Sequence, residues 1–277
     1  MLDDPNSLFA LVALASGMAV TGLFSGVMAG LLGVGGGLVI VPVLFNALPV
    51  FGVQDTAVMK VAVATSLATI VPTSIISARK HFARGTMDVP LLRSLAPGLL
   101  LGALLGTALV VVLQGTILSG IFAAIVLLVA INMGFAGLGW QMRETVPGGL
   151  ARSVIGAGIG GVSAVMGIGG GMLGVPVLSA CGRAIRVAVS TASAFGLIIA
   201  VPATIGLVIA GMGMEGRPAY SLGWVSLIGL VLIAPASIIA TPWGVRLAHS
   251  ISPLLLKRVF AGFLALSSVK MAYSLLA

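Results

Sequence analysis

Long apolar segments separated by short polar breaks make up most of this chain of 277 residues. A helix needs about 20 residues to cross the hydrocarbon core of a bilayer, and two of the segments are too short to cross alone. The pattern predicts an all-α integral membrane protein, a bundle of about eight transmembrane helices plus short half-helices. The segments lie near residues 8–32, 38–51, 61–78, 89–113, 117–138, 150–166, 172–180, 187–212, 222–247 and 254–277.

A glycine-rich phrase precedes each short segment, as Gly33-Val34-Gly35-Gly36-Gly37 and as Gly167-Ile168-Gly169-Gly170-Gly171, and each leads to Val-Pro-Val-Leu. The similarity extends along the chain and predicts two homologous halves, 1–140 and 148–277, within a single transport domain. A polar connector, 141–149, separates them and ends in Pro-Gly-Gly. Further matched stretches are 60–66 with 186–192, 97–106 with 235–244, and 121–124 with 259–262.

The two glycine phrases are the first candidates for a binding site. Broken backbone at membrane depth is tolerated only where it lines a cavity or is buried in protein, and paired breaks in two halves point to a transporter's site. A half-helix that begins there offers free N–H groups and a positive dipole end, which suits an anion. Close helix packing is the alternative explanation for the glycines. The predicted substrate-binding glycines are Gly35, Gly36, Gly37, Gly169, Gly170 and Gly171.

Hydroxyl side chains follow each break at the start of the next long segment, and we predict that they add donors for the anion. Bonding back to the carbonyls of their own helix is the alternative for such residues. A cation precedes each pair, and Lys60 and Arg186 either attract or gate an anion or serve as ordinary interfacial residues. The four predicted hydroxyl ligands are Thr65, Ser66, Ser190 and Thr191.

Other polar or unusual residues receive structural roles. Prolines kink helices, and hinging is a hypothesis for the four that lie at paired positions, Pro42, Pro72, Pro176 and Pro202. His81 is predicted to lie in a charged cytoplasmic-side loop rather than to do chemistry, and His249 likewise. Two histidines and the single Cys181 make a metal site improbable, and one cysteine excludes an intramolecular disulfide.

The composition argues against a soluble globular protein and against a nucleic-acid-binding protein. Hydrophobic residues form 59% of the chain and charged residues 7%, whereas soluble domains carry roughly 25% charged residues. The net charge of +8 does not indicate a nucleic-acid partner, because the basic residues lie in short clusters between apolar segments. Asp3 and Asp4 occupy the place of a signal peptide's basic region, so the first segment is predicted to be a retained helix.

The distribution of Lys and Arg predicts orientation. If each short segment completes a hairpin with the helix before it, both termini lie outside, and the halves are inverted relative to each other. If the short segments do not cross, the halves are parallel, and the basic loops of the second half fall on the wrong side. The positive-inside rule therefore favours the first, inverted arrangement. That arrangement places inside Arg79, Lys80, Arg84, Arg93, Arg143, Arg152, Arg183, Arg186, Arg246, Lys257 and Arg258, and outside only Lys60, Arg217 and Lys270.

Missing motifs narrow the function further. No acidic residue lies well inside an apolar segment, so carboxylate-based proton coupling is not predicted. The chain has no Walker A motif and no nucleophile–base pair at membrane depth, and the GxGxxG spacing of a dinucleotide site is incomplete. We therefore predict a membrane transporter rather than an enzyme, without a cofactor.

The sequence also resembles a known family. The two glycine phrases with their following Val-Pro pairs, and the stretches 65–89 and 221–249, are similar to the sulfite exporter TauE/SafE family over essentially the whole chain. The resemblance implies a bacterial inner-membrane permease for sulfite, small organosulfonates or related anions. Many members of the family have no assigned substrate, and the resemblance supplies none for this chain.

These observations combine into one hypothesis, a secondary transporter that exports sulfite or a small organosulfonate. The glycine breaks would meet near the midplane and bind the anion, and rocking of the two halves would alternate access. A passive anion channel, an importer of a related organic anion and a membrane scaffold remain as alternatives. The predicted partners are the small anion and the lipid bilayer, and the oligomeric state stays open, with a homodimer as one candidate.

Overall fold

The computed structural model describes residues 5–32, 35–135, 146–214 and 220–247, together with 262, 265, 266, 268–271 and 273. Several predictions from the sequence lie outside this part of the chain. They are the first acidic residues Asp3 and Asp4, residues 141–145 of the connector, Arg143, Arg217, His249, Lys257 and Arg258, and most of the last segment.

Ten α-helices, one short 3-10 helix and one small hairpin form the described chain up to residue 247, and the described residues between 262 and 273 are also helical. The long apolar segments become helices because their backbone groups have no water to bond with and must pair internally. In chain order the elements are α1 (Pro5–Leu32), α2 (Gly37–Ala47), a 3-10 turn (Leu48–Phe51), α3 (Asp55–Ala83), α4 (Val89–Val112), α5 (Gly115–Phe135), α6 (Gly149–Met166), α7 (Gly171–Ala180), α8 (Ile185–Ala192), α9 (Phe195–Gly211), β1 (Ser221–Leu222), β2 (Val225–Ser226) and α10 (Leu227–Leu247).

Within the described residues, five helical segments are long and apolar enough to cross a membrane. They are α3, α4, α6, the stretch Ile185–Gly211 and α10, and shorter apolar helices accompany them. The predicted all-α architecture is therefore confirmed, and these helices have the length and apolar composition of membrane spans. Two details differ from the sequence pattern. A turn at Ser193 and Ala194 divides the predicted segment 187–212 into α8 and α9, and the segment 222–247 begins with an antiparallel hairpin instead of a helix.

Glycines of α1 pack directly on the backbone of α10, although the two helices lie far apart in sequence. A Cβ atom at any of these glycines would overlap a carbonyl oxygen of α10. Small residues of this kind let membrane helices approach closely, which is how they gain packing energy in lipid. The contact pairs are Gly22 with Ile233, Gly26 with Ser237, and Gly30 with Thr241.

The same packing recurs between α6 and α4, where Gly156 lies against the Leu95 carbonyl and Gly160 against that of Leu99. By the sequence repeat, Gly26 corresponds to Gly160 and Ser237 corresponds to Leu99. The first helix of each half thus packs on the third long helix of the other half, through matched residues.

Helix directions follow from these contacts. The residue numbers of the α1 and α10 partners rise together, so these two helices run the same way. Helix α3 runs with them, because Thr65 accepts from the N–H of Ser226 at the start of α10 (2.9 Å) and Arg84 donates to the Val245 carbonyl near its end (3.4 Å). By the same rule, α4 and α6 run parallel to each other.

The two ends of the bundle differ in charge. Lys60, near the start of α3, donates to the Val111 carbonyl at the end of α4 (2.7 Å), so α4 runs opposite to α3. At the other end, Arg183 pairs with Asp88 at 3.2 Å. We call this second end, where α3 and α10 finish and α4 and α8 begin, the basic end. Its cations include Arg79, Lys80, Arg84, Arg183, Arg186 and Arg246.

Candidate functional site

Both glycine phrases interrupt the helices where the sequence predicts. Gly36 and Gly170 are the caps that precede α2 and α7, with φ of 75° and 74°. Gly35 also has a φ of 75°. Glycine adopts this left-handed region at little cost, whereas other residues are strained there. The chain therefore stops one helix and starts a half-helix within a few residues, twice.

The two breaks meet inside the protein. A Cβ atom at Gly35 would lie 3.2 Å from the Cα of Gly169, and one at Gly37 would overlap the Gly167 carbonyl oxygen. Ser66 in the middle of α3 donates to that same oxygen at 2.7 Å. All the predicted glycines are buried, as is Ser66. We call this region, where the first half contacts the second, the glycine junction.

Helix N-termini at the junction hold backbone N–H groups that have no acceptor among the described residues. The first N–H groups of α2 to be bonded are those of Val39 and Ile40, which both donate to the Gly36 carbonyl. In α7 the first is that of Gly174, which donates to the Gly170 carbonyl at 2.8 Å. Within the described residues no acceptor takes the earlier N–H groups, those of Gly37, Leu38, Gly171, Met172 and Leu173. Unpaired buried donors cost free energy unless a ligand or water pairs with them.

The two half-helices point away from each other. Helix α2 leads through the 3-10 turn to the start of α3, on the Lys60 side, whereas α7 ends at Ala180 and leads to Arg183 at the basic end. Both helices therefore direct their positive dipole ends at the junction. Two dipoles that converge in a region of low dielectric favour a negative charge between them.

Of the four predicted hydroxyl ligands, only Ser66 lies at the junction. Thr65 accepts from the N–H of Ser226 at 2.9 Å, and Thr191 accepts from the N–H of Asp88 at 3.0 Å. Ser190 Oγ lies 3.2 Å from His81 Nδ1 at the basic end. The two threonines thus brace matched helix starts, which is neither anion binding nor bonding back to their own helix.

Asp88 and Ser226 are the matched helix caps that these threonines support. Asp88 accepts from the N–H of Leu91 at the start of α4 (3.0 Å), and Ser226 accepts from the N–H of Gly229 near the start of α10 (3.2 Å). Three positions separate cap and donor in both cases. The two halves therefore use the same capping arrangement with different side chains.

An Asp88→Ala variant should lose about 1 kcal/mol of unfolding free energy, because a helix cap disappears. An Asp88→Asn variant keeps the cap and loses only the ion pair with Arg183, whose side chain is 43% exposed, so it should change stability by less than about 1 kcal/mol. Unfolding of the purified protein in detergent measures both. Equal losses in the two variants would mean that the ion pair, not the cap, stabilises this turn.

The predicted cations are not equivalent. Lys60 is half-buried, donates to Val111 and lies 5.7 Å from the centre of the Trp224 ring, whereas Arg186 is exposed at the basic end. Neither side chain reaches the glycine junction. The four prolines lie inside helices α2, α3, α7 and α9, as expected for residues that shape helices.

The prediction for His81 is wrong in its placement. His81 lies within the last turn of α3 rather than in a loop, and it is 5% exposed. Its ring contacts Ser190, and Ser190 Oγ lies 2.6 Å from Thr86 Oγ1. Helix α3 extends past the predicted segment, and His81 in its last turn is buried against Ser190 of α8 in the other half, a contact that the local sequence does not reveal.

Known proteins identify the family. The family model described as sulfite exporter TauE/SafE matches residues 18–271. The chain belongs to this TauE/SafE family. A probable membrane transporter protein of Haemophilus influenzae is 32% identical over 252 residues, which is 91% of this chain and 96% of that protein. A probable membrane transporter protein of Methanocaldococcus jannaschii is 24% identical over 257 residues, 92% and 94% of the two chains. No solved structure matches.

The TauE/SafE chain is accordingly a multi-pass membrane transporter and not an enzyme.

The structure of this TauE/SafE chain also places residues near the junction that sequence reasoning missed. Ser25 of α1 donates to the Gly36 carbonyl at 3.3 Å, and Ser74 of α3 lies against Gly196 and close to Gly169. Ser74 follows Ser66 by two helical turns, and that spacing was the available signal.

Proposed function

We propose that this transporter carries a small oxyanion, sulfite or a small organosulfonate, out of the cell by alternating access. The observation that supports it is the convergence of two half-helix N-termini at a buried junction between the halves, with N–H groups that find no acceptor in the described part of the chain. The name of the family adds sulfite as the first substrate to test.

The halves are proposed to form an inverted repeat. In support, Gly26–Ser237 and Gly160–Leu99 are matched contacts, and α10 runs along α3 whereas its counterpart α4 runs against α3. Matched helices that run in opposite directions are what an inverted repeat requires.

The proposed location is the bacterial inner membrane, with the basic end in the cytoplasm and both termini outside. The cations concentrated at the basic end support this orientation, since cytoplasmic loops carry an excess of Lys and Arg. In this arrangement the chain is proposed to have eight full transmembrane spans and two half-helices.

Export of an anion needs no coupling ion. Moving one charge through 100 mV is worth about 2.3 kcal/mol, so a cell that is negative inside expels anions spontaneously. No acidic side chain is buried within the described residues, which agrees with a carrier that does not bind protons on carboxylates.

Purified protein in liposomes tests the proposal. Sulfite or ethanesulfonate on the far side of the membrane should accelerate efflux of the labelled anion, and uptake should saturate. Either anion at about 100 times its dissociation constant should also stabilise the protein against unfolding by about 2.7 kcal/mol. Single-channel currents would identify a channel. Stabilisation by carboxylates or phosphonates alone would remove sulfur oxyanions as substrates.

A further inference from the structure

We infer that one face of α3 lines the route by which the anion enters from the basic end. This inference rests on the anion site proposed at the glycine junction and adds the path that leads to it. Four buried polar side chains form the face, which we call the α3 polar stripe: Ser66, Ser74, Ser77 and His81.

The four residues lie on one side of the helix and face the second half. Their spacing of eight, three and four positions keeps side chains on one face of an α-helix. Ser66 contacts Gly167, Ser74 lies against Gly196, and His81 contacts Ser190. The stripe therefore begins at the junction and ends among the cations of the basic end.

The fold uses the Ser66 hydroxyl, which donates to the Gly167 carbonyl, but in the described part of the chain it leaves the hydroxyl of Ser77, nearer the basic end, unbonded. Ser77 is 3% exposed, and its Oγ has no hydrogen-bond partner within the described residues. Ser163 of α6, fully buried beside Gly170, is in the same condition at the other side of the junction. A buried polar group without a partner costs about 1–3 kcal/mol, a cost that a passing anion or its water would offset. By contrast, Thr69 and Thr73 of the same helix bond to carbonyls of their own turns.

The second half shows that this fold does not require the hydroxyls. The contact between Gly35 and Ile70 corresponds to the one between Gly169 and Gly196, which aligns α3 with α8 and α9. In that alignment the counterparts of the stripe are apolar and fully buried: Ala192, Ala200, Ala203 and Leu207. The second half thus has an apolar face where the first half has hydroxyls and an imidazole. Because packing alone does not need these polar groups, the asymmetry indicates a function.

Charge at the mouth of the stripe fits an anionic solute. Arg79, Arg84, Arg183 and Arg186 are exposed there, and such a group of cations raises the local concentration of anions. Because the proposed orientation places the basic end in the cytoplasm, the stripe would be the loading route of an exporter.

Cysteine labelling tests the route directly. In a Cys181→Ser background, Ser74→Cys and Ser77→Cys are exposed in inside-out vesicles to 2-sulfonatoethyl methanethiosulfonate, an anionic thiol reagent. Both should react about tenfold faster or more than Ala200→Cys and Ala203→Cys, their counterparts in the second half, because thiols buried among apolar groups are unreactive. Ethanesulfonate should slow the reaction, and it replaces sulfite here because sulfite cleaves the disulfide formed.

The results of the labelling separate the route along α3 from the identity of the substrate. Equal rates at the four positions, or labelling only in right-side-out vesicles, would overturn the route. Fast labelling at Ser74→Cys and Ser77→Cys without protection by ethanesulfonate would keep the route and count against sulfonates in the proposed function. If the cysteine variants do not insert, the double variant Ser74→Ala with Ser77→Ala replaces them. It should reduce sulfite flux about fivefold or more, which is the effect of losing one hydrogen bond to the anion. Wild-type flux in that variant, equal to Ser119→Ala, would also overturn it.

Discussion

A Gly37→Ala variant should insert and fold but lose most of its transport. Gly37 is the first residue of α2, so its backbone suits alanine. Its new methyl group would overlap the Gly167 carbonyl and approach Ser66 Oγ at 2.9 Å. Overpacking of this kind typically costs about 1–3 kcal/mol, which is about 5- to 150-fold in a binding equilibrium if the cost falls on the site. Initial rates of sulfite flux in liposomes measure the loss.

Gly158→Ala is the control for this substitution, since no atom lies within 4 Å of a methyl group there. It should transport at the wild-type rate. If Gly37→Ala does the same, with an equal amount of folded protein in the membrane, then the junction does not bind the substrate. If Gly37→Ala fails to fold, Ser66→Ala repeats the test without adding volume, because it removes only the hydroxyl that donates to the Gly167 carbonyl at 2.7 Å.

Gly26→Ala and Gly160→Ala should destabilise the protein by similar amounts, about 1–3 kcal/mol each. Both methyl groups would overlap a carbonyl oxygen of the partner helix, Ser237 in one interface and Leu99 in the other. The midpoint of thermal unfolding in detergent reports the change.

The matched controls are Gly17→Ala and Gly158→Ala, one on the same helix as each test position. Each methyl group would point into open space, so both variants should be as stable as the wild type or slightly more. A large effect in one half and none in the other would mean that the matched contacts do not contribute equally to stability.

The sequence alone was enough to locate the helix breaks. Glycine runs such as Gly35–Gly37 break a helix through local backbone geometry, which can be read from the sequence. The lengths of the apolar segments are equally local, and they predicted most of the spans. The structure places both half-helices where the pattern predicts them. That the two breaks touch followed only from the assumption of symmetry, and no local property could establish it.

The positions of the hydroxyl groups were harder to predict. Thr191 and Ser190 looked equivalent to Thr65 and Ser66, yet Ser190 bonds at the basic end and Thr191 braces the start of α4. These roles depend on which residue of the other half faces each side chain. Such long-range pairing is set by tertiary packing, which periodicity along one segment does not encode.

The exchange of partners between the halves also limits how the chain can assemble during synthesis. The glycine face of α1 has its partner on α10, more than two hundred residues later. At about 5–20 residues per second, the ribosome needs roughly 10–40 s to produce it. Until then the glycine face of α1 lies against lipid. A ribosome that stalls before α10 leaves an incomplete bundle, which is a substrate for membrane proteases.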